Sequence, residues 1–214
     1  MRTPVGLGAA VLMLSLGVAG RLTAQGSRTA VGAYVGYSRT DLKGADAQDA
    51  EARQGALTGV YLHFPLSRAF AIRPELTFAL KGGSTTTDDG SVRDIELAYL
   101  EFPVLAKFAV PTGRFRPVLF AGPAPALRIG CDFLLFIPQG PGDPVLQERV
   151  TCGRDDVAVV RTLDLGFVVG GGIAGVWPLA ALSLEARVTS GIRSVFDDVE
   201  VRNRAFGVVL GLTF

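Results

Sequence analysis

Histidine, cysteine and tryptophan are scarce in this sequence, and charge is thin: His 1, Cys 2, Trp 1, with 19% of residues charged. A single histidine, His63, excludes a His-rich metal centre, because such sites need several imidazoles converging on one ion. Lys+Arg 21 against Asp+Glu 20 leaves no basic patch or charged tail, which excludes nucleic acid as a partner. Downstream of the N-terminus no apolar run is long enough for a transmembrane helix. What is present is glycine, 27 residues of it, and 49% hydrophobic residues, greasier than an average soluble domain. A chain of 214 residues accommodates one β domain.

The N-terminus has the build of a secretory signal. Arg2 supplies the positive start, Val5 to Ala19 the apolar stretch, and Ala24 the residue before cleavage. A retained membrane helix is the competing reading, but a run of about 15 residues is short for it, and Pro4 and several glycines weaken it further. The expectation is therefore a leader over 1–24 and a mature domain over 25–214. Export in turn permits a disulfide.

Past the leader the dominant signal is a period of two. It is clearest in Phe70–Lys81, where Phe70, Ile72, Pro74, Leu76, Phe78 and Leu80 share one face and Ala71, Arg73, Glu75, Thr77, Ala79 and Lys81 the other. A helix would scatter those charges around its circumference. The same alternation predicts strands over Thr29–Ser38, Gly55–Leu66, Asp94–Val110, Phe115–Gly130, Val157–Ala174, Ala181–Gly191 and Asn203–Phe214. Pro103 lacks a ladder donor and marks an irregularity in the fourth.

These eight strands are joined alternately by long polar loops (Arg39–Gln54, Gly82–Arg93, Cys131–Asp156, Ile192–Arg202) and short turns (Pro65–Ala69, Pro111–Arg114, Gly175–Ala180). Aromatics flank every short turn: Phe64, Phe70, Phe108, Phe115, Trp177 and Phe214. A soluble lipocalin-like barrel also alternates, with its apolar face turned inward. Here, however, the second face mixes charges of both signs with Gly, Ala, Ser and Thr, as a narrow interior requires. Long loops at one end, short turns at the other and a closing strand ending on Phe214 then predict an eight-stranded antiparallel up-and-down β-barrel crossing a membrane.

Several segments carry a family resemblance. They are Arg73-Pro-Glu-Leu76 leading to Lys81-Gly-Gly83, Tyr99-Leu-Glu-Phe-Pro-Val-Leu105, Ala121-Gly-Pro123, Asp164-Leu-Gly166 with Gly170-Gly-Gly172, Ser183-Leu-Glu-Ala-Arg187 and Asn203-Arg204. In order and spacing the chain resembles the outer-membrane β-barrel domain family, the small porin-like proteins of Gram-negative bacteria. The resemblance implies a barrel in the outer membrane with no assigned activity. The loop containing the cysteines departs from the family pattern. Phe214 resembles the terminal aromatic recognised by barrel-assembly machinery, which implies a role in insertion.

Inward-facing charges are expected at Arg73, Glu75, Lys81, Glu101, Lys107, Arg128, Asp164, Glu185 and Arg187. In an eight-stranded lumen they must pair, since a buried unpaired ion costs several kcal/mol. A narrow ion or proton path is the alternative use of the same groups. Cys131 and Cys152 bracket the longest loop, and in an exported protein they are expected to bond to each other. The enclosed Phe133–Ile137 is read as an upward extension of the fifth strand, with a partner-contact patch as the other option.

Three further motifs carry little. A serine–histidine hydrolase would need His63, which falls beside the wrong turn and points inward. Gly170-Gly-Gly-Ile-Ala-Gly175 matches a dinucleotide fingerprint letter by letter, but no helix pattern follows it. Asp88-Asp-Gly90 and Asp197-Asp198 lack the ligand spacing of a calcium site. The expectation is a structural or surface-interaction barrel without enzymatic activity or cofactor, monomeric, displaying four extracellular loops. Its expected partners are outer-membrane lipid and lipopolysaccharide, the barrel-assembly machinery and an extracellular ligand. A narrow solute channel is the alternative, and a lipid-modifying enzyme ranks below it.

Overall fold

A computed structural model describes residues 29–43, 51–86, 92–137, 146–151, 162–192 and 202–214. The leader expected over 1–24 lies outside the described residues. The described chain forms strands β1 (Ala30–Lys43), β2 (Glu51–Pro65), β3 (Phe70–Thr86), β4 (Val92–Glu101), β5 (Val104–Ala109), β6 (Phe115–Ile137), β7 (Leu146–Thr151), β8 (Leu163–Val176), β9 (Ala181–Gly191) and β10 (Arg202–Thr213).

Every pairing is antiparallel, and the pairings form a circuit. β1 joins β2, β2 joins β3, and β3 joins β4 and then β5. Both of these join β6, which is followed by β8, β9, β10 and β1 again. Since β4 and β5 are two halves of one barrel strand, the ring has eight strands. The closing seam runs from Gly32↔Thr213 to Lys43↔Arg202, and Val31 and Phe214 exchange backbone hydrogen bonds of 2.8 and 3.2 Å just below it.

The interruption falls where Pro103 predicts one. Lacking an N–H, Pro103 drops out of the ladder as a donor, but its carbonyl accepts from the Glu75 amide at 2.8 Å. The Phe102 amide meanwhile donates to the Pro125 carbonyl at 2.8 Å, so the wall stays continuous across the break.

Burial follows the period of two. Along β10, Phe206, Val208, Leu210 and Leu212 face outward, while Ala205, Gly207, Val209 and Gly211 are buried inside. β1, β2, β3 and β9 show the same division. The outward apolar run ends at polar residues toward the loops: Arg39 on β1, Gln54 on β2, Ser190 on β9 and Arg204 on β10. An unbroken apolar belt on the outside of a closed barrel matches the hydrocarbon layer of a membrane, about 25 Å tall in barrels of this kind.

The short connections at 66–69, 110–114 and 177–180 share one end of the barrel. Aromatic pairs mark that rim: Phe70 lies 5.0 Å from Phe108, and Phe115 meets Trp177 edge-on at 6.3 Å. Rings at this height suit the boundary between acyl chains and headgroups.

At the opposite end the strands run further than the polar composition suggested. β1 reaches Lys43, β2 starts at Glu51 and β3 reaches Thr86, so much of Arg39–Gln54 and Gly82–Arg93 is strand. The supposed long loop from Cys131 also contains strand. β6 continues to Ile137, and β7 pairs back onto it from Asp132↔Thr151 to Ile137↔Leu146. Main-chain pairing outweighs the polar side chains there, because each residue added to a ladder needs no apolar face once it stands in water. Two register shifts, between Ala52 and Leu57 on β2 and between Ala98 and Tyr99 on β4, re-aim the residues beyond them.

Candidate functional site

Inside the barrel, β3 and β9 occupy opposite places in the ring of eight, with three strands between them on either side. Strand alternation turns Arg73, Glu75 and Thr77 of β3 inward, and Ser183, Glu185 and Arg187 of β9 inward to meet them. Arg73 reaches across the full diameter. Its Nη1 and Nη2 donate to Glu185 Oε1 and Oε2 at 2.8 and 3.0 Å, a two-pronged match of guanidinium and carboxylate. From the other wall, Arg187 Nη1 donates to Glu75 Oε2 at 2.9 Å. Both Arg73 and Glu185 are nearly sealed from solvent, at 1% and 2% exposure.

The two crossings are tied together. Arg73 Nε lies 2.8 Å from Glu75 Oε1, and Arg187 Nη2 lies 3.6 Å from Glu185 Oε2. Lys107 of β5 adds a third donor to Glu185 Oε1 at 3.0 Å. Tyr34 of β1 donates its hydroxyl to Glu75 Oε2 at 3.0 Å and also meets the Thr77 hydroxyl. Each carboxylate thus has at least two polar partners, which is what allows ions to persist in a dry interior.

Aromatic rings fill the remaining space. Phe120 of β6 meets both guanidinium groups, with Arg73 Cζ 4.8 Å and Arg187 Cζ 5.5 Å from its ring centre. Arg73 also stands 5.2 Å over Tyr61, and Arg187 stands 4.6 Å over Tyr34. Cations over ring faces gain attraction without needing water. Glycine makes the room. A Cβ on Gly170 would lie 2.4 Å from the Phe120 ring and from the Ala186 carbonyl, and one on Gly32 would lie 2.2 Å from the Tyr61 ring.

Toward the loops the packing loosens. Lys81 and Glu101 form a second buried ion pair, with Lys81 Nζ 5.1 Å over the Tyr99 ring. A small cavity between this pair and Arg187 is bordered by Ser38, Leu57 and Thr189, with room for little more than a water molecule. Arg128 and Asp164 are half-buried on the same side, and Asp164 Oδ1 accepts the Leu165 amide at 2.7 Å. The nine charges expected inside therefore divide. Arg73, Glu75, Lys107, Glu185 and Arg187 form one cluster, Lys81 and Glu101 pair separately, and Arg128 and Asp164 stand toward the loops.

The alternation already set Tyr61 inward, Tyr34 opposite the apolar face of its strand and Phe120 in phase with Arg128, but it did not join the rings to the charges. Tyr34, Tyr61 and Phe120 share the inward phase with the charges, and the glycines beside them were the available signal. It also missed a rim network in which Glu96 pairs with Arg53 and lies 3.8 Å from Arg149, itself 3.7 Å from Asp132. These residues lie beyond the register shifts, where counting from the apolar belt loses phase.

Other candidates resolve simply. His63 faces Ala30 near the short-turn end of β2, far from the loops. Gly170–Gly175 lies wholly within β8, extended and paired on both sides, so no helix N-terminus exists there to hold a pyrophosphate. Phe133–Ile137 is part of β6. Cys131 is buried opposite Leu97, while Cys152, Asp88-Asp-Gly90 and Asp197-Asp198 lie outside the described residues. Among the described residues no cluster of three His, Cys, Asp or Glu side chains could hold a metal ion.

Residues 23–197 match the outer membrane protein beta-barrel domain family. No curated protein matches the sequence. Among solved structures, Neisserial surface protein A (NspA) is similar, with 12% identity, a TM-score of 0.52, and coverage of 88% of this chain and all of that one. The outer membrane protein OprG from Pseudomonas aeruginosa shows 11% identity and a TM-score of 0.47, covering 86% of this chain and 94% of that one. The outer membrane enzyme PagL shows 12% identity and a TM-score of 0.41, covering 85% and 97%. At 12% identity the likeness to NspA shows the fold alone.

Proposed function

Because the chain belongs to the outer membrane protein β-barrel domain family and resides in the bacterial outer membrane, we propose that it is a closed structural and surface-interaction barrel. It anchors the bilayer and presents four loops to the exterior, without catalysing a reaction. The observation that carries this reading is the Arg73–Glu185 contact, which spans the lumen from wall to opposite wall with both side chains almost wholly buried. An eight-stranded barrel has an interior just wide enough for side chains to fill, which leaves no room for a wide solute channel.

The non-enzymatic part of the proposal rests on chemistry. A hydrolase needs a nucleophile, a base and access to substrate together. The lone His63 instead points into the lumen near the short-turn end. Partners follow from position: outer-membrane lipid and lipopolysaccharide around the belt, an extracellular ligand at the loops, and a monomeric barrel. Phe214, exposed at 72% beside the closing seam, is the surface we assign to the barrel-assembly machinery. The protein is accordingly exported by a cleaved leader in a Gram-negative cell.

We also propose that Cys131 bonds to Cys152. β7 ends at Thr151, directly opposite Asp132, and in the sequence Cys131 precedes Asp132 while Cys152 follows Thr151. The bridge would fasten the β6–β7 hairpin at its base. Alkylation with and without reductant reads it: a mass difference of two alkyl groups is expected, and full labelling without reductant contradicts the bridge.

Reconstitution into planar bilayers tests the main proposal. A trace at the level of bare membrane is expected; steady solute-dependent current would show that the charges line a conduit instead.

A further inference from the structure

Around the upper edge of the apolar belt, most strands end their outward run on an uncharged or acidic residue: Gln54, Glu96, Asp132 and Ser190. The seam of β1 and β10 differs. Arg39 follows Val35 and Tyr37 in the outward phase of β1, and Arg204 follows Val208 and Phe206 in that of β10. Both arginines are exposed. In the ladder Arg39 is opposite Phe206 and Arg204 is opposite Asp41, so the two are diagonal neighbours, with Cα atoms about 7–8 Å apart. Two residues on, Lys43 is opposite Arg202. At this height the seam therefore presents two exposed guanidinium groups, those of Arg39 and Arg204.

From this juxtaposition we propose that the β1–β10 seam binds a phosphate-bearing glycolipid of the outer leaflet, with Arg39 and Arg204 gripping the phosphate. Guanidinium groups at this spacing match the oxygens of one phosphoryl group. The residues directly beneath select a lipid over a soluble anion. Val35, Tyr37, Phe206 and Val208 are all exposed, and they offer an apolar track continuous with the phosphate position. Only an amphiphile with its phosphate above and its acyl chains below contacts both. The inference rests on the bilayer-anchoring role proposed above and names the lipid that role would recruit.

Native mass spectrometry of the full-length barrel in mild detergent tests the proposal, with a bisphosphorylated glucosamine-based glycolipid and its enzymatically dephosphorylated counterpart as probes. The wild type should retain the phosphorylated lipid roughly tenfold better than the dephosphorylated one, since each near-surface arginine adds appreciable attraction for anionic lipid. Arg39→Gln with Arg204→Gln should lose that preference, while Arg116→Gln at the opposite rim should keep it. Equal retention of both lipids by the wild type overturns the site. Displacement of the lipid by millimolar inorganic phosphate overturns the lipid assignment and leaves a soluble-anion site. Should the double variant fail to fold, seen as loss of heat-modifiable gel migration, the two-lipid comparison on the wild type still decides. Planar-bilayer recording of the same wild-type sample separates this from the closed-barrel reading: current there would sink that reading even with lipid preference intact.

Discussion

The mid-lumen cluster and the loop-end rim use the same chemistry in different surroundings. Arg73, Glu75, Glu185 and Arg187 pair where their side chains have 3% exposure or less. Arg53, Glu96, Asp132 and Arg149 pair where side-chain exposure runs from 29% to 59%. Water screens the second set and leaves such pairs worth about 0–1 kcal/mol each. In the first set, deleting one partner strands the other as a buried ion. The lesson is that the count of arginine–carboxylate pairs says little about this barrel, whereas their height along its axis says a great deal.

The largest expected effect comes from breaking the diameter-spanning contact. Glu185→Gln leaves Arg73 and Lys107 without their shared carboxylate, and a loss of about 3–5 kcal/mol is expected from such an uncompensated burial. Urea titration of the refolded barrel, followed by tryptophan fluorescence or gel migration, measures it. A loss under 1 kcal/mol would mean that water reaches the cluster and that the lumen is open.

A steric change should come next. Gly170→Leu pushes against the Phe120 ring and the Ala186 carbonyl, and overpacking of this kind costs about 1–3 kcal/mol. The same titration reads it. An unchanged midpoint would show that the Phe120 ring is free to move.

At the rim, Glu96→Gln should shift stability by no more than about 1 kcal/mol, and added salt should shrink even that. A rim effect as large as that of Glu185→Gln would erase the contrast between the two regions.

Much of the fold was legible because a half-buried strand writes its two faces into alternate residues. Phe70–Lys81 displays both the apolar outside and the charged inside, and the structure keeps every one of those residues on its expected side. Pro103 announced its own interruption. Partners across the lumen were not legible, since Arg73 meets Glu185 through closure of the ring at a separation of 112 residues, which local pattern does not encode. The apolar Phe133–Ile137 did announce the upward extension of β6, whereas polar composition concealed β7 and the upper ends of β1, β2 and β3. The inward phase of Tyr34, Tyr61 and Phe120 was legible, but their stacking on Arg73 and Arg187 was not, because it too depends on closure of the ring.

Filling and emptying the lumen in parallel tests closure without confusing it with stability. Arg73→Met with Lys107→Met and Glu185→Leu replaces the crossing triad by apolar side chains of similar size, a change often neutral or stabilising for buried ionic groups, and the barrel should stay closed. Arg73→Ala with Glu185→Ala and Arg187→Ala removes the crossing material itself and should open a path for small ions.

Single-channel recording of the purified wild-type barrel beside that triple alanine variant is the most direct measurement. A silent wild type and a conducting triple variant are predicted. Discrete conductance steps from the wild type, unchanged when the three side chains are removed, would contradict a lumen closed by its own charge pairs.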